Sequence, residues 1–244
     1  MAQPYRLTDR IGRRAALGLI VLQADETIEQ DFRRLFTASD VAVYVSRVPS
    51  AADVTPETLA AMEAALPAAA ALLPPSLEFD AVGYGCTTGA TVIGPGRVEK
   101  LVAGACRARA VSDPLSAVLA AFQALGARRI GLVSPYIASV TAPLRAALAA
   151  AGLEVVAEMS FDEREEARVA RIDPESIREA ALRLGDGVEA VFLSCTNLRT
   201  LDVIDGIEVA LDRPVVGSNQ ALAWHMAHLA GITADRPVGR LMAI

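Results

Sequence analysis

The sequence lacks any apolar run long enough to span a membrane. Of its 244 residues, 53% are hydrophobic and 21% are charged, and charges interrupt the alanine-rich runs before they reach about 20 residues. Arginines precede an apolar run near the N-terminus, as in a signal peptide. The acidic stretch ADETIEQD follows that run, however, where a small-residue cleavage site would be needed. We therefore expect a cytoplasmic protein that has no membrane partner.

Basic stripes and paired cysteines are also lacking. The formal net charge of −6 and the pI near 5.1 disfavour nucleic acid as a partner. Three cysteines without a secretion signal argue against a disulfide framework and for a reducing compartment. The thiols are therefore available for chemistry.

Short β-branched runs alternate with longer periodic segments rich in alanine and leucine, a pattern typical of parallel sheets covered by helices. Strands are predicted at residues 16–22, 41–48, 81–84, 109–111, 129–133, 154–159, 190–193 and 215–216. The clearest helices are predicted at residues 56–73, 114–125, 140–151, 174–184 and 198–210. Prolines near the starts of several segments and glycines after others agree with these helix bounds.

Two segments of the chain resemble each other. AVGYGCTTGATVIGPGRVEKLV and AVFLSCTNLRTLDVIDGIEVAL each run from an apolar strand into Cys-Thr and then into an apparent helix. This duplication predicts an α/β fold of two similar Rossmann-like lobes with parallel sheets and a ligand cleft between them. We expect residues 1–118 with 219–244 to form the first lobe, and residues 119–218 the second.

The repeated segments place Cys86 and Cys195 just after a strand and before a helix. Free backbone N–H groups and the helix dipole at such a position favour a thiolate, so we expect a lowered pKa for both thiols. The hydroxyls of Thr87, Thr88 and Thr196, with nearby amides, are suited to hold a carboxylate. That carboxylate would stabilise negative charge on the neighbouring carbon as a proton leaves.

Two thiols on opposite faces of one carbon suit two kinds of reaction. One thiol can remove a proton while the other delivers one, or one can add covalently before bond rotation and release. The first gives racemisation and the second gives isomerisation. The third cysteine, Cys106, is expected to lie within a helix as a small buried apolar residue.

Five motifs, VGYGCTTGAT, VSPY, VARIDP, FLSCTNLRT and VVGSNQALAW, resemble those of the aspartate/glutamate racemase superfamily, in its maleate isomerase and arylmalonate decarboxylase branch. The resemblance implies a two-lobed fold related by a pseudo-twofold axis, with the active site between the lobes, no metal and no organic cofactor. Residue by residue, Cys86 and Cys195 match the paired catalytic cysteines of the isomerases and racemases. Thr87, Thr88 and Tyr136 match positions that hold a substrate carboxylate. Arylmalonate decarboxylases lack the first cysteine, which argues against simple decarboxylation here.

Two departures from the maleate isomerases concern charge. Asp25, in LQADETIE, and Glu166, in EREEARVARIDP, stand where those enzymes carry an asparagine. A second substrate carboxylate would be repelled by these two anions, whereas an ammonium group would be attracted. We therefore expect Asp25 and Glu166 to bind the cationic end of an amino-acid-like substrate.

VLQADETIEQDF and YVSRVP further resemble the ectoine and hydroxyectoine utilisation protein A subfamily. The presumed substrates of that subfamily are diaminobutyrate derivatives, which combine a carboxylate with an amine. The leading interpretation is a cofactor-independent racemase or isomerase of such a small carboxylate, in the form of a homo-oligomer. The alternatives are a maleate cis–trans isomerase using cysteine addition, an arylmalonate-type decarboxylase, and a non-catalytic ligand-binding or regulatory protein.

Weaker signals lie elsewhere in the chain. His225 and His228 could share one helix face, but they have no partner motif for a metal, and we expect ordinary packing. The GPGR turn at residues 94–97 is expected to begin a helix. Asn219 and Gln220 are placed on the loop after the last strand, where they either line the cleft or join the lobes.

Overall fold

The computed structural model describes residues 2–51, 55–185 and 187–244. The strands are β1 (Ala15–Leu22), β2 (Val41–Val48), β3 (Ala81–Gly85), β4 (Val111–Ser112), β5 (Arg129–Tyr136), β6 (Glu154–Glu163), β7 (Ala190–Leu193) and β8 (Val215–Gly217). The helices are α1 (Ile28–Leu35), α2 (Pro56–Ala71), α3 (Thr87–Ile93), α4 (Pro95–Ala103), α5 (Pro114–Leu125), α6 (Ala138–Ala150), α7 (Glu166–Val169), α8 (Pro174–Leu182), α9 (Ile204–Leu211) and α10 (Ser218–Leu229). A 3₁₀ helix, Arg240–Ala243, follows them.

The strands form two four-stranded parallel sheets, which confirms the predicted α/β fold. The strand orders are β2-β1-β3-β4 and β6-β5-β7-β8, so the second sheet repeats the first with each strand replaced by its later counterpart. Cys86 follows β3 and Cys195 follows β7, which are the corresponding strands. The two strand-Cys-Thr segments are therefore equivalent in topology, as their sequence similarity predicts.

The central strands are apolar because helices cover both faces of each sheet. Every residue of the central strands β1, β3 and β7 is buried, as is the short edge strand β8, whereas the edge strands β2 and β6 are partly exposed. This explains why continuous apolar runs predicted the central strands so closely. Against the second sheet, Phe122 of α5 packs edge to face on Phe192 of β7, with ring centroids 6.2 Å apart.

The helix ends follow the chemistry of their flanking residues. The Asp113 carboxylate accepts hydrogen bonds from the amides of Leu115 and Ser116 and caps the start of α5. Gly126 ends that helix with a φ of 69°, a left-handed conformation that glycine adopts without a steric penalty. Pro95 begins α4, so the expectation that residues 94–97 begin a helix is confirmed.

The last helix returns to the first sheet. After β8, α10 packs against β3 and α5. Gly83 permits this close approach, because a Cβ at that position would lie 2.5 Å from the Met226 sulfur. The assignment of residues 219–244 to the first lobe, and the lobe boundaries, stay a prediction.

Several element predictions are wrong. Residues 109–111 were expected to form a strand, but β4 is Val111–Ser112. The helix expected at 198–210 begins only at Ile204, since Asn197 and the residues after it form turns. Asn219 and Gln220 lie in α10 and not on a loop, and Cys106 lies in a bend after α4. In each case the residue type fits both assignments locally, and packing against distant segments decides between them.

Among the described residues, no helix is long and apolar enough to cross a membrane.

Candidate active site

The predicted site residues all lie at or after the carboxyl ends of strands. Tyr136 ends β5 and Glu166 begins α7 after β6. Asp25, Cys86 and Cys195 follow β1, β3 and β7. In open parallel sheets this end carries the ligand site, since the loops there converge.

Hydrogen bonds join the two cysteine loops. The Thr87 hydroxyl donates to the Ser218 hydroxyl oxygen at 2.9 Å, and the Cys195 amide donates to the same oxygen at 3.0 Å. The Thr196 hydroxyl donates to the carbonyl oxygen of Gly85 at 3.3 Å. The neighbours of both cysteines therefore contact each other, and the charges of Asp25 and Glu166 act on both thiols.

Cys86 occupies the N-cap position of α3. Its sulfur accepts a hydrogen bond from the Gly89 amide at 3.2 Å, and only 5% of the residue is exposed. Burial, together with the charges of Glu166 and Asp25, raises the pKa of this thiol to about 12, although the Gly89 amide opposes them.

Cys195 has an unusual backbone conformation. Its φ of 137° lies in a region that side-chain-bearing residues rarely adopt. The hydrogen bond from the Cys195 amide to the Ser218 hydroxyl holds this backbone, and the Cys195 sulfur accepts a hydrogen bond from the Asn197 amide at 3.3 Å. Burial and the charge of Glu166 raise the pKa of the thiol well above its ordinary value. A strained residue held by its surroundings is common at functional sites.

The expectation that both thiols have a lowered pKa is therefore wrong. For Cys86 the helix terminus is present, but loss of solvation and two nearby anions outweigh it. For Cys195 the expected helix does not begin until Ile204, so that helix does not start at the cysteine. Each thiol is neutral in the resting site, which suits it to deliver a proton to a substrate. Before it can take a proton from a substrate, the thiol must itself be deprotonated.

Tyr136, Glu166 and Asn197 form a buried network. The Tyr136 hydroxyl donates to Glu166 Oε1 at 2.6 Å, and Asn197 Nδ2 donates to Glu166 Oε2 at 2.9 Å. The Tyr136 oxygen also lies 3.1 Å from the Cys195 sulfur. Since the tyrosine proton is directed at Glu166, the oxygen is left to accept the thiol proton.

Asp25 presents an unpaired oxygen. Its Oδ1 accepts hydrogen bonds from the amides of Thr27 and Ile28 at 2.8 and 2.9 Å. Its Oδ2 is buried and has no hydrogen-bond partner among the described residues. Burial raises the pKa of this carboxyl to about 7, despite the two amides. Such an oxygen is suited to a ligand that brings its own hydrogen-bond donor.

The predicted carboxylate-binding hydroxyls are largely occupied by protein partners. Thr87 donates to Ser218, Thr196 to Gly85 and Tyr136 to Glu166. Thr88 is buried in the first turn of α3. The amides at the start of a helix have no acceptor within it, so the first turn of α3 still offers donors to a carboxylate. The substrate-binding roles of these residues stay a prediction.

Sequence reasoning missed Ser218 and Asn197. Both stood in quoted motifs, VVGSNQALAW and FLSCTNLRT, and both are fully buried polar residues beside the cysteines. Their place just after a strand or after Cys-Thr could have singled them out. Asn219 joins the two halves of the chain, since its Nδ2 donates to Asp31 Oδ2 at 2.8 Å and to the Thr196 carbonyl at 2.7 Å. Gln220 bonds the Gly217 amide and the Val238 carbonyl.

Replacing Ser218 with alanine should lower the free energy of unfolding by about 1–3 kcal/mol, because the buried Cys195 amide and Thr87 hydroxyl both lose their partner. Urea denaturation of wild type and variant measures this difference. Ser176→Ala, at an exposed position on α8, is the matched control and should change stability by less than about 0.5 kcal/mol. Equal stability of Ser218→Ala and wild type would contradict the bridging role of Ser218.

The histidine pair has no link to this site. His225 and His228 lie on α10 and stack on Trp224, with ring centroids 6.1 and 6.0 Å from it. His225 Nδ1 lies 2.8 Å from the Ser112 hydroxyl. In the described part of the chain no group of histidine, cysteine and carboxylate side chains is arranged to hold a metal ion.

Comparison with known families gives one match. A family model described as arylmalonate decarboxylase matches residues 99–242, more than half of the chain. Arylmalonate decarboxylase of Bordetella bronchiseptica is 34% identical over 119 residues, which cover 48% of this chain and 50% of that enzyme. This match therefore spans half the length of that relative. Maleate isomerase of Nocardia farcinica is 26% identical over 240 residues, which cover 93% and 94% of the two chains.

Solved structures show the same fold over nearly the whole chain. A liganded double mutant of arylmalonate decarboxylase is 27% identical with a TM-score of 0.84, covering 93% of this chain and 98% of the other. A mutant of the Nocardia farcinica maleate cis–trans isomerase, with a covalently bound succinylcysteine intermediate, is 23% identical with a TM-score of 0.85 and the same coverage. At that identity the second likeness concerns the fold alone.

Proposed function

The chain belongs to the arylmalonate decarboxylase family, and from this premise we propose that it is a cofactor-independent racemase or isomerase of a small amino-acid-like carboxylate. Cys86 and Cys195 exchange protons with opposite faces of the substrate α-carbon. The observation that carries this proposal is the pair of buried thiols on equivalent loops, joined through the Ser218 hydroxyl. A site built from two topologically equivalent loops suits a reaction whose two directions are nearly mirror images.

Proton exchange requires one sulfur without its proton and one with it. The thiolate takes the α-proton while the thiol on the other face gives its proton to the same carbon. The bond from carbon to hydrogen breaks on one face and forms on the other, so the net charge of the pair is unchanged. Glu166 favours the protonated form of Cys195, because its negative charge raises the pKa of that thiol.

The charges of the site support a substrate that carries an ammonium group. Among the described residues no arginine or lysine is buried, whereas Asp25 and Glu166 are. A dianion would lose its solvation here without a cationic partner. A zwitterion brings one carboxylate, for the first turn of α3, and one cation, for Asp25 Oδ2. This agrees with the resemblance to the ectoine and hydroxyectoine utilisation subfamily, and with a diaminobutyrate derivative as substrate.

Maleate isomerisation is the second candidate. It is favoured by the maleate isomerase of Nocardia farcinica, which is 26% identical over 94% of its length. In that reaction one cysteine would add to the double bond and leave after rotation. The two buried carboxylates oppose it, because they would repel the second carboxylate of maleate.

Incubation in deuterated water separates the two candidates. The protein is incubated with each enantiomer of diaminobutyrate and of its singly acylated derivatives, and separately with maleate. The α-proton is followed by proton NMR, and the two enantiomers are separated by chiral chromatography. Loss of the α-proton signal together with formation of the other enantiomer supports the racemase. Turnover of maleate without α-deuterium in any amino acid would support the second candidate, and no exchange and no turnover would contradict both.

A further inference from the structure

We propose that Tyr136 and Asn197 form a carboxylate-binding subsite which the chain fills with its own Glu166. The carboxylate of Glu166 has one donor on each oxygen, Tyr136 at 2.6 Å and Asn197 at 2.9 Å. Only 4% of Glu166 is exposed, and no buried arginine or lysine accompanies it among the described residues. These two directed donors therefore provide the principal stabilisation of a buried anion next to Cys195.

Neither donor lies on α7, which carries Glu166, and Asn197 Nδ2 also donates to the backbone carbonyl of Glu166 at 3.2 Å. Tyr136 is the last residue of β5. The Asn197 amide oxygen accepts a hydrogen bond from the Glu26 amide at 2.9 Å, which fixes its NH₂ group toward Glu166. The Thr27 hydroxyl donates to the Asn197 carbonyl at 2.9 Å. Truncating the Glu166 side chain therefore leaves both donors aimed at the same space.

A free carboxylate can take that space without changing the charge of the site. Removal of the Glu166 side chain removes one negative charge and one acceptor for each donor, and a formate ion restores all three. The alanine variant takes the carboxylate acceptor from both donors and leaves Asn197 Nδ2 with only the Glu166 backbone carbonyl, which lowers stability until an anion binds. The subsite thus has a defined ligand class, small monocarboxylates.

This subsite deepens the proposed function. The subsite itself does not depend on that function, and only its consequence for the substrate rests on it. In the natural chain the place beside Cys195 already holds a carboxylate. The substrate accordingly brings one carboxylate and not two. Opening the subsite should admit dicarboxylates that the natural chain excludes.

Thermal unfolding of Glu166→Ala in sodium formate tests the subsite, with sodium chloride keeping the ionic strength at about 0.2 M. Formate should raise the Tm saturably, by about 5 °C at about 100 mM, with a half-maximal effect in the millimolar range expected for so small a ligand. Wild type and Glu166→Gln, in which the space stays filled, should not respond. Glu165→Ala, at the exposed neighbouring residue, is the matched control and should not respond either.

The double variant Tyr136→Phe with Glu166→Ala removes one donor and should lose most of the formate effect. A folded Glu166→Ala whose Tm is the same in formate and in chloride overturns the proposal. If Glu166→Ala does not fold in chloride, it is refolded in each salt and its refolding is followed by circular dichroism. Recovery in formate alone supports the subsite, and no difference between the salts overturns it.

The outcome is independent of turnover. A formate response without α-proton exchange in deuterated water leaves the subsite standing and removes the proposed function. Exchange of the α-proton without a formate response supports the proposed function and overturns the subsite.

Discussion

Substituting serine for either Cys86 or Cys195 should slow α-proton exchange by about 10²- to 10⁴-fold, the usual contribution of a positioned acid or base. A serine hydroxyl keeps the approximate size and the hydrogen bonds of the thiol but is a far weaker acid. Because both side chains are buried and neutral, the change in packing is small. Exchange is measured by NMR in deuterated water on the chiral substrate that the wild type turns over.

Cys106 provides the internal control for this experiment. It is half-buried in a bend after α4, and its sulfur contacts the Val102 carbonyl at 3.4 Å. Cys106→Ser should exchange the substrate at the wild-type rate. If ligand affinity and every biological output survive both active-site substitutions, the protein is a non-catalytic ligand-binding protein.

The raised pKa values also predict how the wild-type rate depends on pH. A thiol whose pKa is raised to about 12, as for Cys86, is almost fully protonated at neutral pH. The fraction of thiolate, and with it the exchange rate of the free enzyme, should therefore rise with pH across the neutral range.

Stability should fall as the pH rises from about 4 to about 7, and Asp25→Asn should remove a large part of that fall. The folded chain holds a proton on Asp25 up to a pKa of about 7, whereas an exposed aspartate loses it near 3.8. Between these values the folded state binds more protons than the unfolded state, so the free energy of unfolding decreases with pH. The stabilisation is complete below about pH 4, and above pH 7 about 4 kcal/mol of it is lost.

Urea denaturation of wild type and Asp25→Asn at pH 5 and pH 8 measures this effect. The variant should lose less stability than the wild type between the two pH values, because its amide does not ionise. Asp31, whose pKa burial raises to about 6, contributes in the same direction, so some dependence on pH should persist in the variant. Asp162→Asn changes an exposed aspartate and should keep the wild-type dependence. An identical loss of stability in wild type and Asp25→Asn would contradict a buried, proton-holding Asp25.

The site was predictable to the extent that its residues follow strands. Apolar runs located β3 and β7, so the sequence alone places Cys86 and Cys195 at corresponding strand ends. Asp25 and Glu166 stood out in the sequence as anions, because the resemblance to the maleate isomerases predicts amides at these positions. What the pattern could not give was the pairing of Glu166 with Tyr136, since 30 positions separate them and neither has a local partner.

The direction of the thiol pKa values shows the same limit more clearly. The helix start at Cys86 is a local feature, and it correctly predicts the hydrogen bond from the Gly89 amide. Burial and the charges of Asp25 and Glu166 are not local, and they reverse the predicted effect. For Cys195 even the helix start was wrong, because side chains of Thr27 and Asn219 bond the carbonyls of Asn197 and Thr196 and hold these residues in turns.

The sequence by itself determined the α/β class, the order of strands and helices, and the position of both cysteines at strand ends, because hydrophobic periodicity is a local property of the chain. Only the tertiary structure decided which groups share the site, the protonation of its thiols and the partner of each carboxylate. The physical reason is that solvation, charge proximity and hydrogen-bond pairing depend on distances between residues that are remote in the chain.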